Sequence, residues 1–454
     1  MTRIRVLFVL LLLLVAGIVA SGVVWFFKQS QPVQSWRLPD GSEISLAKVT
    51  YGQKHQVRYD NRWQDLLYPV LPAKVQSKFG SRVAMHTSST SNAVVVWIWQ
   101  RHAAAARAKG FGIPNYHLAT VDDNGLESEM LYSMNCRYSL PSGDTFSGWE
   151  LREYPRRSKQ IGVRLYMGGF TGNNALVAEF KIPNRLQINY PVWVPEQLPA
   201  IRKTNDLEIS LLKLETGLTS EIGIWSAGKD ARAFSRGEFT MREKWQATED
   251  WSVTQILASA SSGEVRPGGG KIVFWVDHKN VVSFTGALWP EEPAWKLKVE
   301  VSRTSRFPPK ELWIIKGIPV PAQGKISEAH ARTNIYGEEI EFLGLSSPNA
   351  RLPEDWTEME PEAGLHARTP FPLTGAHLTL VEVKDDQGRK VETGGFASSN
   401  STGGRGATLR QTDYGFAISI PDGAKTLDVT FAFSQSRYVE FLAKPVMAEP
   451  AGKR

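Results

Sequence analysis

A chain of 454 residues, 42% apolar and 22% charged, exceeds one ordinary domain and has the composition of a folded protein, which excludes disordered, collagen-like and low-complexity classes. A single cysteine, Cys136, excludes an internal disulfide framework. The 53 basic and 46 acidic residues give a net charge of +7, whose sign alone would point to nucleic acid or anionic lipid.

The first element weakens that pointer. Arg3 and Arg5 precede an uncharged run of twenty-two residues from Val6 to Phe27, closed by Trp25-Phe26-Phe27 and then Lys28. As a helix rising about 1.5 Å per residue it reaches roughly 33 Å, enough for a hydrocarbon core of about 30 Å. The run predicts an N-terminal transmembrane anchor within residues 1–30, inserted through residues 6–27, with a cytoplasmic N-terminus and the bulk of the chain periplasmic or extracellular. A cleaved signal peptide ending near Ala20-Ser21-Gly22 is the alternative; against it, the apolar run continues past that point and Trp25 suits a membrane interface. Removing Arg3, Arg5 and Lys28 leaves 50 basic against 46 acidic residues, a net of +4. So weak a field gives no reason to expect nucleic acid, and Arg156-Arg157-Ser158-Lys159 reads as a solvated turn between strands.

Beyond the anchor the chain repeats. Glu43-Ile44-Ser45-Leu46-Ala47-Lys48-Val49 matches Glu208-Ile209-Ser210-Leu211-Leu212-Lys213-Leu214 and, more loosely, Glu339-Ile340-Glu341-Phe342-Leu343-Gly344-Leu345. Each alternates with period two, as a strand with one buried face does. A hairpin turn follows in each copy: Asp122-Asp123-Asn124-Gly125, Ser261-Ser262-Gly263 and Asp385-Asp386-Gln387-Gly388. A strand, a proline turn and another strand come next, around Pro155, Pro290 and Pro421, and an apolar stretch closes each copy: Phe180 to Pro183, Leu312 to Pro319, Phe441 to Pro445. First to third element spans 118, 89 and 88 residues, so copy one carries about thirty extra. Trp63, Leu66, Leu67, Val70 and Leu71 fall at helical spacing there, predicting a helical insertion near 60–80.

These units predict an all-β chain of three tandem sandwiches: domain 1 over 36–190, domain 2 over 200–320, domain 3 over 333–446, and a tail over 447–454. As an architecture this resembles immunoglobulin-like or fibronectin-like β-sandwiches, without the Cys–Trp–Cys core of antibody domains, and fold alone implies no function.

Chemistry is sparse. No Gly-x-Ser-x-Gly elbow occurs, and Ser45/Lys48 and Ser210/Lys213 lie on strands where three-residue spacing puts the side chains on opposite faces. Eight histidines form no metal-ligand spacing, so no metal and no cofactor is expected. Asp122-Asp123-Asn124-Gly125 lacks the closing glutamate of a calcium loop, and Gly268-Gly269-Gly270-Lys271 lacks the Ser or Thr of a phosphate loop. Cys136 reads as a small buried hydrophobe. Of fifteen tryptophans, most suit sandwich cores; Trp225, Trp251, Trp289 and Trp356, in or near loops, are the candidate ligand contacts. The expectation is a non-catalytic, membrane-anchored structural or interaction protein, an adhesion or scaffold module whose partner is another protein or a glycan. Glycan or cell-wall-polymer binding through exposed Trp is the first alternative, and a hydrolase with carboxylates scattered in sequence is the second.

Overall fold

The computed structural model describes residues 34–38, 41–58, 72, 83–90, 92–103, 116–129, 134–139, 143–167, 175–186, 189–219, 232–244, 246–276, 279–353, 356, 362–370, 375–402 and 410–448. The expected anchor at 6–27 and, apart from Pro72, the helical insertion near 60–80 lie outside them. Among the described residues the chain is all-β, its one helical piece is the 3-10 turn Pro309–Glu311, and no helix is long and apolar enough to cross a membrane.

Unit one has two layers. The first orders β1 (Gln34–Arg37), β2 (Glu43–Tyr51), β5 (Val94–Arg101), β9 (Thr145–Leu151) and β8 (Met134–Ser139) as β1-β2-β5-β9-β8. The second orders β11 (Ala175–Pro183), β10 (Gln160–Met167), β6 (Tyr116–Val121) and β7 (Glu127–Glu129) as β11-β10-β6-β7. Alternate residues Val94, Val96 and Ile98 meet Ile161, Val163, Phe180 and Ile182 between them. The opposite side of β5 is buried too, because a hairpin of β3 (Lys54–Arg58) and β4 (Val83–Thr87) carries Val57 and Ala84 onto Val95, Trp97 and Phe146. Burial on both faces explains why β5 reads Val-Val-Val-Trp-Ile-Trp with no polar alternation.

Unit two repeats the order. Its strands are β12 (Ala200–Thr204), β13 (Leu207–Thr219), β14 (Arg232–Glu243), β15 (Gln246–Ala247), β16 (Trp251–Ala260), β17 (Val265–Val276), β18 (Lys279–Thr285) and β19 (Trp295–Arg303). Here β17 is continuous where unit one has β7 and β8: Val265 to Gly268 pair with β16, and Val273 to Val276 with β18. Unit three has β21 (Ile326–Ile335), β22 (Glu338–Ser346), β23 (Ala363–Pro370), β26 (Arg410–Ser419) and β25 (Glu392–Thr402) in one layer, ordered β21-β22-β23-β26-β25. Its other layer holds β24 (Ala376–Asp385) beside β27 (Thr426–Gln435).

Residues 43–49, 208–214 and 339–345 therefore occupy the second strand of three equivalent five-strand arrays. Each carries a register shift at the same place, between Leu46 and Lys48, Leu211 and Lys213, and Phe342 and Gly344. A bulge kept at one position in three copies marks a common template. The hairpin turns agree as well: the amide of Gly125, Gly263 or Gly388 donates to the carbonyl of Asp122, Ala260 or Asp385 respectively.

The closing strands break the expected contiguity of 200–320 and 333–446. In unit one β11 folds back on β10. In unit two the equivalent place beside β19 is taken by β28 (Arg437–Ala443), which follows unit three's β27 in sequence. The strand that follows β19, β20 (Leu312–Pro319), lies instead beside β27 in unit three. The two bodies have exchanged closing strands. Val439, Phe441 and Ala443 pack in the core of unit two, and Ile318 in that of unit three. The C-terminal segment continues to β29 (Val446–Met447), which pairs in parallel with Glu215 and Thr216 of β13. Val446, expected at the end of domain 3, and residues 447–448, expected as part of a tail, are thus tied to unit two, with the Ala448 amide donating to the Thr216 carbonyl at 2.7 Å.

Candidate functional site

Of the four sequence-selected tryptophans, the three among the described residues are not presented to solvent. Trp225 lies outside the described residues. Trp251 is 3% exposed, with the guanidinium carbons of Arg303 and Arg437 at 4.7 and 5.5 Å from its ring. Trp289 is fully buried, donates from Nε1 to Glu264 Oε1 at 3.0 Å and carries Arg266 over its ring. Trp356 is 8% exposed and packs on the His366 ring, tilted by 37° at a centroid distance of 4.5 Å. A sugar needs an open indole face, and these three faces are occupied by protein. Trp251 opens strand β16, and the connections that hold Trp289 and Trp356 pack into cores and joints between units.

Two groupings that sequence reasoning missed are built from the fold. The first lies under the β3–β4 hairpin. His55 and His86 are directly opposed in its register, and their rings stack at 5.8 Å. His55 Nδ1 lies 2.8 Å from Thr50 Oγ1, which accepts from Trp97 Nε1 at 2.8 Å. His86 Nε2 lies 2.7 Å from Glu150 Oε2, while Ser88 Oγ donates to the other carboxylate oxygen at 3.0 Å. Burial, with His86 alongside, pushes the His55 imidazole below its ordinary pKa. Ser88 addresses the carboxylate and not an imidazole, so the set lacks the nucleophile-to-base contact of a hydrolytic triad. It ties the hairpin to the sheet. Cys136 borders the same region, and burial raises its thiol, which disfavours the thiolate. No spacing motif announces this grouping; the only signal was the extra length of copy one.

A serine hydroxyl does meet a histidine in unit three, where Ser346 Oγ lies 2.8 Å from His366 Nε2. Both residues are buried beneath Trp356, and burial pushes His366 down to about 4. The pair therefore reads as core polar packing. Among the described residues no group of three or more His, Cys, Asp or Glu is arranged to hold a metal ion.

The second grouping is the joint between units one and two. Arg156 and Arg157, expected in a solvated turn, are turned inward, with side chains 14% and 19% exposed. Arg157 pairs with Glu292 at 2.8 Å and donates to the Pro191 carbonyl and to Ser261 Oγ at 2.6 and 2.7 Å. Glu264 accepts from Trp289 and pairs with Arg266 at 2.6 Å and with Arg156 at 3.8 Å. Arg266 also pairs with Glu153 of unit one. Burial pushes the Glu264 carboxyl up to about 8, with Arg156 pulling the other way, and pushes Arg266 down to about 9. Leu126, from the Asp122 turn of unit one, is inserted into the apolar core of unit two. Burial and the neighbouring Asp122 raise Glu291 to about 7. The repeated turn thus serves as a plug, with ionic residues around it.

No protein-family model and no curated protein matches the chain. Among solved structures it is similar to three consecutive immunoglobulin domains of a mutated titin variant, at 9% identity over 79% of this chain and 93% of that one, with a TM-score of 0.10. A likeness at that score carries no argument, and the architecture described above stands on strand pairing and register alone.

Proposed function

We propose that the chain is a membrane-anchored, extracytoplasmic structural or interaction protein. Three immunoglobulin-like or fibronectin-like sandwiches follow an anchor at residues 6–27, with the N-terminus cytoplasmic. The role is non-catalytic and the partner is another protein. The observation that carries this reading is the construction of the joints: a buried ionic and apolar seat between units one and two, and exchanged strands between units two and three. Flexible multidomain chains leave such boundaries as exposed linkers. Fixing three bodies in sequence suits a part that holds surfaces at a set distance and orientation. Glycan capture through Trp251, Trp289 and Trp356 has no exposed indole to support it.

The test joins topology to shape. A reporter active only outside the cytoplasm, fused after residue 448, should be active, and the protein should remain in the membrane fraction after alkaline extraction. Small-angle scattering of the purified full chain in detergent should fit one rigid arrangement of the three units. Release into the soluble fraction, an inactive reporter, or scattering that requires independently moving units would each overturn the reading.

A further inference from the structure

We propose that Ser436, the single residue between β27 and β28, commits the chain to exchanging its closing strands, and that a longer hinge would return each strand to its own unit. The inference stands on strand geometry alone and is independent of where the protein works.

An antiparallel hairpin needs a connection of two or more residues. Seven residues, 168–174, join β10 to β11 in unit one, and eight, 304–311, join β19 to β20. Only Ser436 joins β27 to β28. Register makes the obstruction specific. Gly162 lies opposite Lys181 in unit one, and Lys298 lies opposite Glu440 in the exchanged pair. By the same alignment a folded-back β28 would set Asp428 opposite Glu440, with its turn over residues 433–435. That turn would take Phe433, fully buried, out of unit three's core, and strip Phe433 and Ser434 from Leu378 and His377 of β24. So β28 leaves for β19, and the vacated place beside β27 is filled by β20, whose own connection would have allowed a fold-back. The hinge is held from both sides. The Ser436 amide donates to the Gly375 carbonyl of unit three at 2.8 Å, and its Oγ donates to Glu300 Oε1 of unit two at 2.5 Å. Short connections of this kind are a recognised cause of strand exchange between chains; here both partners belong to one chain.

The experiment reads disulfides in the full chain. Lys298→Cys with Glu440→Cys reports the exchanged state, and Asp428→Cys with Glu440→Cys reports the folded-back state. With the native hinge the first pair should oxidise and the second should not. Inserting seven Gly, Ser and Asn residues after Ser436 equals the β19–β20 connection in length, and should reverse that pattern. A 428–440 disulfide with the native hinge overturns the exchange itself. Retention of the 298–440 disulfide in the folded insertion variant overturns the role of the hinge. Should the insertion variant not fold, Phe433→Ala in the native-length chain lowers the penalty of the fold-back turn. The 428–440 disulfide should then rise after refolding, and no rise overturns the proposal.

Discussion

The two joints of this molecule solve one problem by different physics. Between units one and two the contact is made of side chains: Leu126 seated in a neighbouring core, and Arg156, Arg157 and Arg266 answering Glu264, Glu292 and Glu153. Between units two and three the contact is made of main chain, with β28 in one body's sheet and β20 in the other's. A side-chain joint can be weakened by a change of pH or by one substitution while each unit stays folded. A joint of exchanged strands cannot, because each body lacks an edge until the other supplies it. Folding and association are separate events at the first joint and a single event at the second.

The comparison is broken most severely at Phe441. Phe441→Ala empties a fully buried site in unit two by changing a strand that follows unit three in sequence. A loss of about 3–5 kcal/mol is expected. Hydrogen exchange should show protection falling in both β19 and β27; loss confined to one unit would contradict the shared fate of the pair. At the other joint, Arg157→Ala leaves Glu292 buried without its partner and should cost about 3 kcal/mol. Protease sensitivity should rise in the 184–199 connection while the amide protection of units two and three stays unchanged.

Protons provide the third test. Glu291 titrates at about 7 in the folded protein against an ordinary value of 4.5, so the folded state holds the extra proton between those values. The contribution is fully present below pH 4.5 and is lost as pH rises through about 7. Thermal melts across that window should show the first joint loosening toward alkaline pH, and Glu291→Gln should reduce the slope to the part left by Glu264, which is held up at about 8. An unchanged slope in the variant would remove Glu291 from the joint's energetics. The smallest effect is expected at Lys181, paired with Asp123 where both side chains are mostly exposed. Lys181→Ala should shift stability by no more than about 0.5 kcal/mol, which a urea titration would bound.

Much of the fold was legible because it is local. The period-two alternation of 43–49, 208–214 and 339–345 reports a strand in each copy, and the Gly125, Gly263 and Gly388 turns report tight reversals of the chain. Membership of the closing strands was not legible. Phe441 has the same apolar pattern whether it packs on β27 or on β19, and only the one-residue gap at Ser436 separates the two outcomes. Arg156 and Arg157 misled for a related reason: consecutive arginines beside a proline resemble a surface turn unless a second body covers them. Trp289 and Trp356 were placed correctly in connections, but nothing in their local sequence tells a connection that faces water from one that seals a core. The His55–His86 pair depends on the register of a hairpin whose arms are separated by 24 residues, a distance over which no spacing rule operates.

The return of the C-terminal segment to unit two also sets an order of events during synthesis. Unit one has its closing strand as soon as β11 has emerged. Unit two does not, since 140 residues separate the end of β19 from the end of β28. At roughly 5–20 residues per second that interval lasts on the order of ten seconds. Throughout it, Leu297, Val299 and Val301 lack the strand that will cover them, on a nascent chain whose last section is still unmade. Of the three units, the second is therefore the last to receive its closing strand, and for that period it depends on whatever shields unpaired strands as chains are made.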